Sequence, residues 1–268
     1  MKALRFILPI LVILAVIGLL AYEGLVVKTL TGSNLVRGGL IIAAAVVTLT
    51  KTPTQKTTAS KKALYQKAYP EFIQEPFADD PKLEKRFYDA VHNYNQNKPA
   101  SAISQLEKLR RECRNSGELR SVTVFTALCY DDIGRYQESL KLYDAARQIR
   151  DCSTLASNMG LCCNRLGDFG RAAELYGQAI QMDSKNAVAY SNLSNLYFAQ
   201  GQLENSLDAA TDALACNERM PQALATAAIC CKLLGRDGEY EDYYHRAVAA
   251  GYDGARIKKV IKKLDPKV

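Results

Sequence analysis

Two adjacent cysteines, Cys162 and Cys163, stand in "LCCNRLGDFG", and a second pair, Cys230 and Cys231, stands in "ICCKLLG". Thiolates bind structural zinc and carry out redox exchange, so a duplicated pair raises both chemistries. Geometry speaks against a metal held by either pair. Neighbouring residues on a helix diverge by about 100°, so one pair cannot close on one ion without breaking the helix. The chain also lacks C-x-x-C, H-E-x-x-H and G-x-x-x-x-G-K-[ST]. Its two histidines, His92 and His245, lie far apart in sequence. The glycines of "GLCCNRLGDFG" do not open a helix after a strand, which excludes a phosphate loop. Asp131 and Asp132 precede a turn and read as solvated acids. No catalytic residue, cofactor or metal is expected.

The elements that hold these residues follow from a period. Gly134, Gly167, Gly201 and Gly235 are separated by 33, 34 and 34 residues. With the glycine at position 15 of each unit, small and large residues recur in register. Residues 153–186 give Met159, Gly160, Cys163, Ala172, Tyr176 and Ala179 at positions 7, 8, 11, 20, 24 and 27. Residues 187–220 give Leu193, Ser194, Tyr197, Ser206, Ala210 and Ala213. Residues 221–251 give Ala227, Ala228, Cys231, Tyr240, Tyr244 and Ala247, with Tyr240 large where a small residue is expected. Residues 120–152 give Thr126, Ala127, Tyr130, Ser139, Tyr143 and Ala146. A weaker unit at 83–116 places Asn97 at the turn and Ala102 at position 20.

This pattern resembles the tetratricopeptide repeat across about 83–251, with no proline closing the units: Asp151, Ser184 and Glu218 stand at position 32. The resemblance implies an all-α fold, a right-handed superhelical solenoid of helix pairs. Small residues let paired helices approach, and bulky ones fill the space between pairs. Residues 253–264, "DGARIKKVIKKL", supply a cap. Ile257, Val260, Ile261 and Leu264 share one face, and Lys258, Lys259, Lys262 and Lys263 lie away from it. In the register, Cys129, Cys162 and Cys230 share position 10, and Cys163 and Cys231 share position 11. The cysteine pairs then read as one packing place met once per repeat.

Members of this family bind partners in a concave groove lined by the first helix of each pair, at positions 2, 5, 6, 9, 12 and 13. In residues 120–152 these are Ser121, Val124, Phe125, Leu128, Asp131 and Asp132. Further along, the resemblance points to Asn158, Arg165, Ser191, Asn192, Asn195, Phe198, Thr226 and Lys232 as groove residues. Asparagine can pair with both the N–H and the C=O of an extended backbone. The family's chaperone-binding carboxylate clamp needs basic residues where Thr154, Val188 and Gln222 stand, so it is not expected.

The formal charge of +7 is concentrated at one end. Residues 1–67 carry nine Lys or Arg against Glu23 alone, leaving 26 of the 35 bases and 27 of the 28 acids beyond them. That balance gives no basic face for nucleic acid. Apolar runs at about 6–27 and 35–50 make residues 1–50 a candidate membrane anchor, a transmembrane hairpin. Lys2 and Arg5 precede it, and Lys51, Lys56, Lys61, Lys62 and Lys67 follow it, which puts both ends on the cytoplasmic side. A cleaved signal peptide fits less well, because small residues are poorly placed near Ala21 and a second apolar run follows. Residues 51–81, with four prolines, read as a linker without helical period, ahead of a repeat domain at 82–268. Its aromatics Tyr65, Tyr69, Phe72 and Phe77 are expected to pack on the first helix beyond.

The whole resembles small bacterial membrane-anchored proteins of the repeat family. It implies a non-enzymatic scaffold that holds a protein or peptide, with lipid contact through the hairpin and no nucleic-acid or small-molecule substrate. An accessory subunit of a membrane complex is the alternative, its hairpin packing through Gly38, Gly39 and Ala43 to Ala45, as is an exported domain in envelope assembly.

Overall fold

A glycine with positive φ marks every turn of the register: Gly134 at 75°, Gly167 at 83°, Gly201 at 74° and Gly235 at 73°. Asn97 takes φ 56° at the weaker unit. Asparagine is one of the few side chains that tolerates this region, so the degenerate repeat keeps its turn. Each turn closes in the same way. The amide after the left-handed residue donates back to position 11: Arg135 to the Tyr130 carbonyl, Asp168 to Cys163, Gln202 to Tyr197, Arg236 to Cys231. This is a Schellman closure, and it ends each first helix at a fixed place.

The computed structural model describes residues 58–73, 77 and 79–265. Twelve helices lie among them. They are α1 (Thr58–Ala68), α2 (Pro81–Asn95), α3 (Pro99–Arg110), α4 (Ser116–Asp132), α5 (Tyr136–Ile149), α6 (Ser153–Arg165), α7 (Phe169–Met182), α8 (Ala187–Ala199), α9 (Leu203–Cys216), α10 (Pro221–Leu233), α11 (Asp237–Ala249) and α12 (Gly254–Leu264). No strand occurs among the described residues. Asp80, Asn115, Asp168, Asn186 and Asp253 cap α2, α4, α7, α8 and α12 with side-chain oxygens. Consecutive helices pack on one another, so α2 through α11 form five pairs in chain order, with α12 against α10 and α11. The expected all-α solenoid of helix pairs is what the chain builds.

The register explains the close approaches. Gly160 on α6 faces Tyr176 on α7, and a Cβ there would come within 2.7 Å of the ring. At the same position of the next pair, the Ser194 hydroxyl donates to the Ser206 carbonyl (2.8 Å), and Ser206 donates back to the Ser194 carbonyl (2.9 Å). Ser139 donates likewise to the Ala127 carbonyl at 2.9 Å. Positions 8 and 20 thus meet as small groups wherever both are small. Tyr240 breaks the rule at position 20 and lies buried beside Tyr244, under the Lys232 ammonium.

Residues 1–57, with both apolar runs, lie outside the described residues. Among those described, no helix is long and apolar enough to cross a membrane. The stretch read as a linker departs from expectation, since α1 occupies 58–68. A polar sequence becomes helical there because it is docked. Lys61 pairs with Asp89, Lys62 with Glu84 at 2.9 Å, and the Tyr65 hydroxyl meets His92 Nδ1 at 2.6 Å. Phe77 packs on α2 as expected, its ring tilted against Phe87 with centroids 4.9 Å apart, whereas Phe72, also buried, lies on α4 with the Arg120 guanidinium 6.0 Å from its ring centre.

Candidate groove face

The first helices of the later pairs, α6, α8 and α10, carry the residues that the register assigns to the groove. Two polar contacts join them side by side. Asn192 Nδ2 lies 3.5 Å from Ser157 Oγ, the outer limit of a hydrogen bond, linking α8 to α6. Thr226 Oγ1 donates to Asn195 Oδ1 at 3.0 Å, linking α10 to α8. Asn195 remains exposed, and its Nδ2 keeps two donors for another acceptor. Asn158 and Asn192 are half-buried, and Arg165 is exposed at the end of α6. Phe198 packs its ring against the core of the C-terminal pairs.

The remaining candidates sit differently. Ser191 and Thr226 are buried, 3% and 8% exposed, beneath that surface. Lys232 is engaged at its own turn, with Nζ 2.8 Å from Asp237 and 5.4 Å from the centre of the Tyr240 ring. The accessible surface therefore carries three carboxamides, Asn158 on α6 and Asn192 and Asn195 on α8, with Leu161 and Val188 on the same two helices.

In residues 120–152 the first three groove positions are covered, while Leu128 and Asp131 are half-buried and Asp132 is exposed. Ser121, Val124 and Phe125 are buried, because the chain's own residues 69–73 lie over α4. Ser121 Oγ donates to the Phe72 carbonyl at 2.7 Å, and Arg120 Nη1 donates to the Glu71 carbonyl at 2.7 Å. The Tyr69 ring meets Phe125 edge-on at 5.1 Å, and the Tyr69 hydroxyl donates to Asn95 at 3.0 Å. Tyr65, Tyr69 and Phe72 stand at i, i+4 and i+7, but α1 ends at Ala68, so Tyr69 and Phe72 lie in the turn that follows. The role of Arg120 leaves no mark in the sequence.

Asp131 is not a solvated acid. Its carboxylate accepts from Tyr143 Oη at 2.9 Å and from Cys162 Sγ at 2.9 Å. Burial raises its pKa above the ordinary carboxylate value and outweighs these two donors. Asp132 is raised as well, by burial and then by the Asp131 charge. Cys162 also reaches Ser139 Oγ at 3.7 Å, and Cys230 reaches Ser206 Oγ at 3.4 Å. Position 10 therefore meets position 20 of the preceding repeat in both copies. Burial pushes the Cys129 thiol up to about 12 and Cys231 to about 11, and raises Cys163 and Cys230 too. Such thiols hold their protons and pack as small apolar groups.

A family profile described as "Tetratricopeptide repeat" matches residues 165–209. Tetratricopeptide repeat protein 28 of Mus musculus is 34% identical over 73 residues, 27% of this chain and 3% of its own length. TPR repeat-containing protein MJ1428 of Methanocaldococcus jannaschii is 35% identical over 71 residues, 26% of this chain and 12% of its own. The chain thus spans a small part of the curated relatives it matches. Among solved structures, BtubC from P. vanneervenii aligns with a TM-score of 0.55 at 18% identity, over 74% of this chain and 94% of that one. The MamA RS-1 ArsTM double mutant aligns with 0.53 at 13% identity, over 63% and 94%. At these identities the likeness is one of fold.

Proposed function

The chain belongs to the tetratricopeptide-repeat family, and from that premise we propose that it is a non-enzymatic scaffold that binds an extended segment of a partner protein along α6, α8 and α10. The observation that carries this reading is the pair of α8 carboxamides tied to the flanking first helices, Asn192 to Ser157 of α6 and Asn195 to Thr226 of α10. A peptide backbone offers alternating donors and acceptors, and an asparagine side chain answers both. Because these amides are already held by their neighbours, a ligand does not have to order them first. Asn158 and Arg165 extend this surface, and Phe198 offers an apolar edge.

The scaffold is placed at a membrane by residues 1–50. This part of the proposal rests on the apolar runs at 6–27 and 35–50 and on the lysines that follow them. The repeats then face the cytoplasm.

Crosslinking in cells, compared between the full chain and a truncation beginning at Thr58, tests both parts. A partner captured by both, and lost about 10- to 30-fold in affinity when Asn192→Ala and Asn195→Ala are combined, is the expected result. If the truncation captures nothing that the full chain captures, the groove is not the site. The accessory-subunit reading, through the hairpin, then takes its place. The full chain sedimenting with membranes and the truncation remaining soluble is expected for the anchor. Labelling of the Cys216 thiol in intact cells by an impermeant reagent would overturn the cytoplasmic side.

A further inference from the structure

α1 is an unusual member of this fold. Its sequence, TASKKALYQKA, buries only Lys61 and Tyr65 among its eleven residues. A helix this short and polar is marginal in water, so it owes its order to what it lies on. Beyond Tyr65, which joins the apolar core, its anchors differ from those of the paired helices α2 to α11, which bury apolar side chains of the repeat register. α1 is held by the Lys61–Asp89 and Lys62–Glu84 pairs and by the contact of Tyr65 with His92. The chain then turns, with the Phe72 and Ile73 amides returning to the Tyr69 carbonyl at 3.1 and 2.9 Å. The turn seats Tyr69 and Phe72 on α4, where Arg120 and Ser121 take the Glu71 and Phe72 carbonyls. Backbone carbonyls held by an arginine and a serine, two aromatic anchors and a pair of lysine contacts amount to the inventory of a bound peptide. The surface beneath is the part of the groove that the register assigns to α4.

We propose that the face formed by α2 and α4 is a second protein-binding site, and that α1 with its following turn is its resident ligand, docked within the chain. The site selects a short lysine-bearing helix that ends in an aromatic turn. Asp89 and Glu84 read the lysines. Phe125, Phe87 and Asn95 receive the aromatics, and Arg120 and Ser121 hold the carbonyls of the turn. A partner segment of the same chemistry binds by displacing α1. The tethered segment competes at an effective concentration on the order of millimolar, so occupancy in trans is low until the tethered segment is weakened. This site is separate from the proposed groove surface on α6, α8 and α10, and either can fail without the other.

The test uses the full chain carrying Tyr69→Ala and Phe72→Ala, and as probe a fluorescein-labelled synthetic peptide with the sequence of residues 58–77. Fluorescence anisotropy is expected to show the variant binding the peptide at least tenfold more tightly than the unsubstituted chain. Adding Glu84→Gln and Asp89→Asn is expected to abolish that gain, and salt to weaken it. Equal affinity of the variant and the unsubstituted chain, with helicity retained, overturns the proposal. If the variant loses its helicity, hydrogen exchange on the unsubstituted chain decides. Amides of α1 exchanging at least tenfold faster than those of α4 support a ligand that leaves while the repeats stay folded. Exchange at one common rate makes α1 an ordinary part of the core and overturns the proposal.

Discussion

At Gly160 a missing side chain sets the separation of two helices. A methyl group there would stand 2.7 Å from one Tyr176 ring carbon and 2.8 Å from another. Gly160→Ala gains about 1 kcal/mol of helix propensity and loses about 1–3 kcal/mol to overpacking. The expected net loss is about 1 kcal/mol, read as a lowered Tm by circular dichroism. Gly177, inside α7 with nothing within 4 Å of its missing Cβ, is the control. Gly177→Ala is expected to gain about 0.5–1 kcal/mol. Asp131 gives the second prediction at this scale. Its pKa is raised in the fold, so the native state holds its proton more tightly than the unfolded chain does. The stability this provides is complete below the ordinary carboxylate value and is lost as pH rises through the raised one. Asp131→Asn is therefore expected to flatten the dependence of urea stability on pH from about 4 upward. A slope unchanged by the substitution would refute this assignment.

A single element, α12, closes the last pair. Ile257 and Ile261 are buried against α10 and α11, while Lys258, Lys259, Lys262 and Lys263 are exposed. A repeat array is stabilised mainly between neighbours, so damage at one end stays near that end. Ile257→Ala is expected to cost about 2–4 kcal/mol. Hydrogen exchange should then accelerate in α10 and α11 and remain unchanged in α2 to α5. The cap was legible because four apolar residues at i, i+3, i+4 and i+7 need no partner to declare a helix. The pairs were legible for a related reason: the glycine turns and the small residues at positions 8 and 20 are local requirements repeated at a fixed period. α1 was not legible. Its polar stretch has no helical period, and its helicity depends on Asp89 and His92, more than twenty residues away. The burial of Asp131 was hidden for the same reason, because Tyr143 and Cys162 close over it from two other helices. The groove residues fall between these cases. The register placed Asn192 and Asn195 together on the first helix of one unit, α8, but did not foretell that Ser191 and Thr226 would be buried.

Across the whole array the core is uneven. From Tyr65 to Leu196 it is built largely on aromatic and aliphatic side chains, with Phe87, Tyr88, Phe125, Tyr143, Met159 and Tyr176 all fully buried. From Leu207 to Ile261 it leans on alanine and cysteine, including Ala210, Ala213, Ala227, Ala228 and Cys230. Between the two lies a small patch of Ala156, Ala179 and Ala189, with Ile180 packed against it. Apolar stabilisation scales with the area removed from water, so the alanine-built part contributes less per residue, and the patch between transmits little of it. The array is thus expected to open in two steps. The chain has no tryptophan, so the experiment is hydrogen exchange in increasing urea, read helix by helix. Amides of α9 to α12 should open as a group at lower urea than those of α2 to α6. Replacing Ala189 by valine is expected to crowd the patch and separate the two steps further. A single transition for all helices would show that the alanine patch couples the two parts as strongly as the larger side chains couple their own.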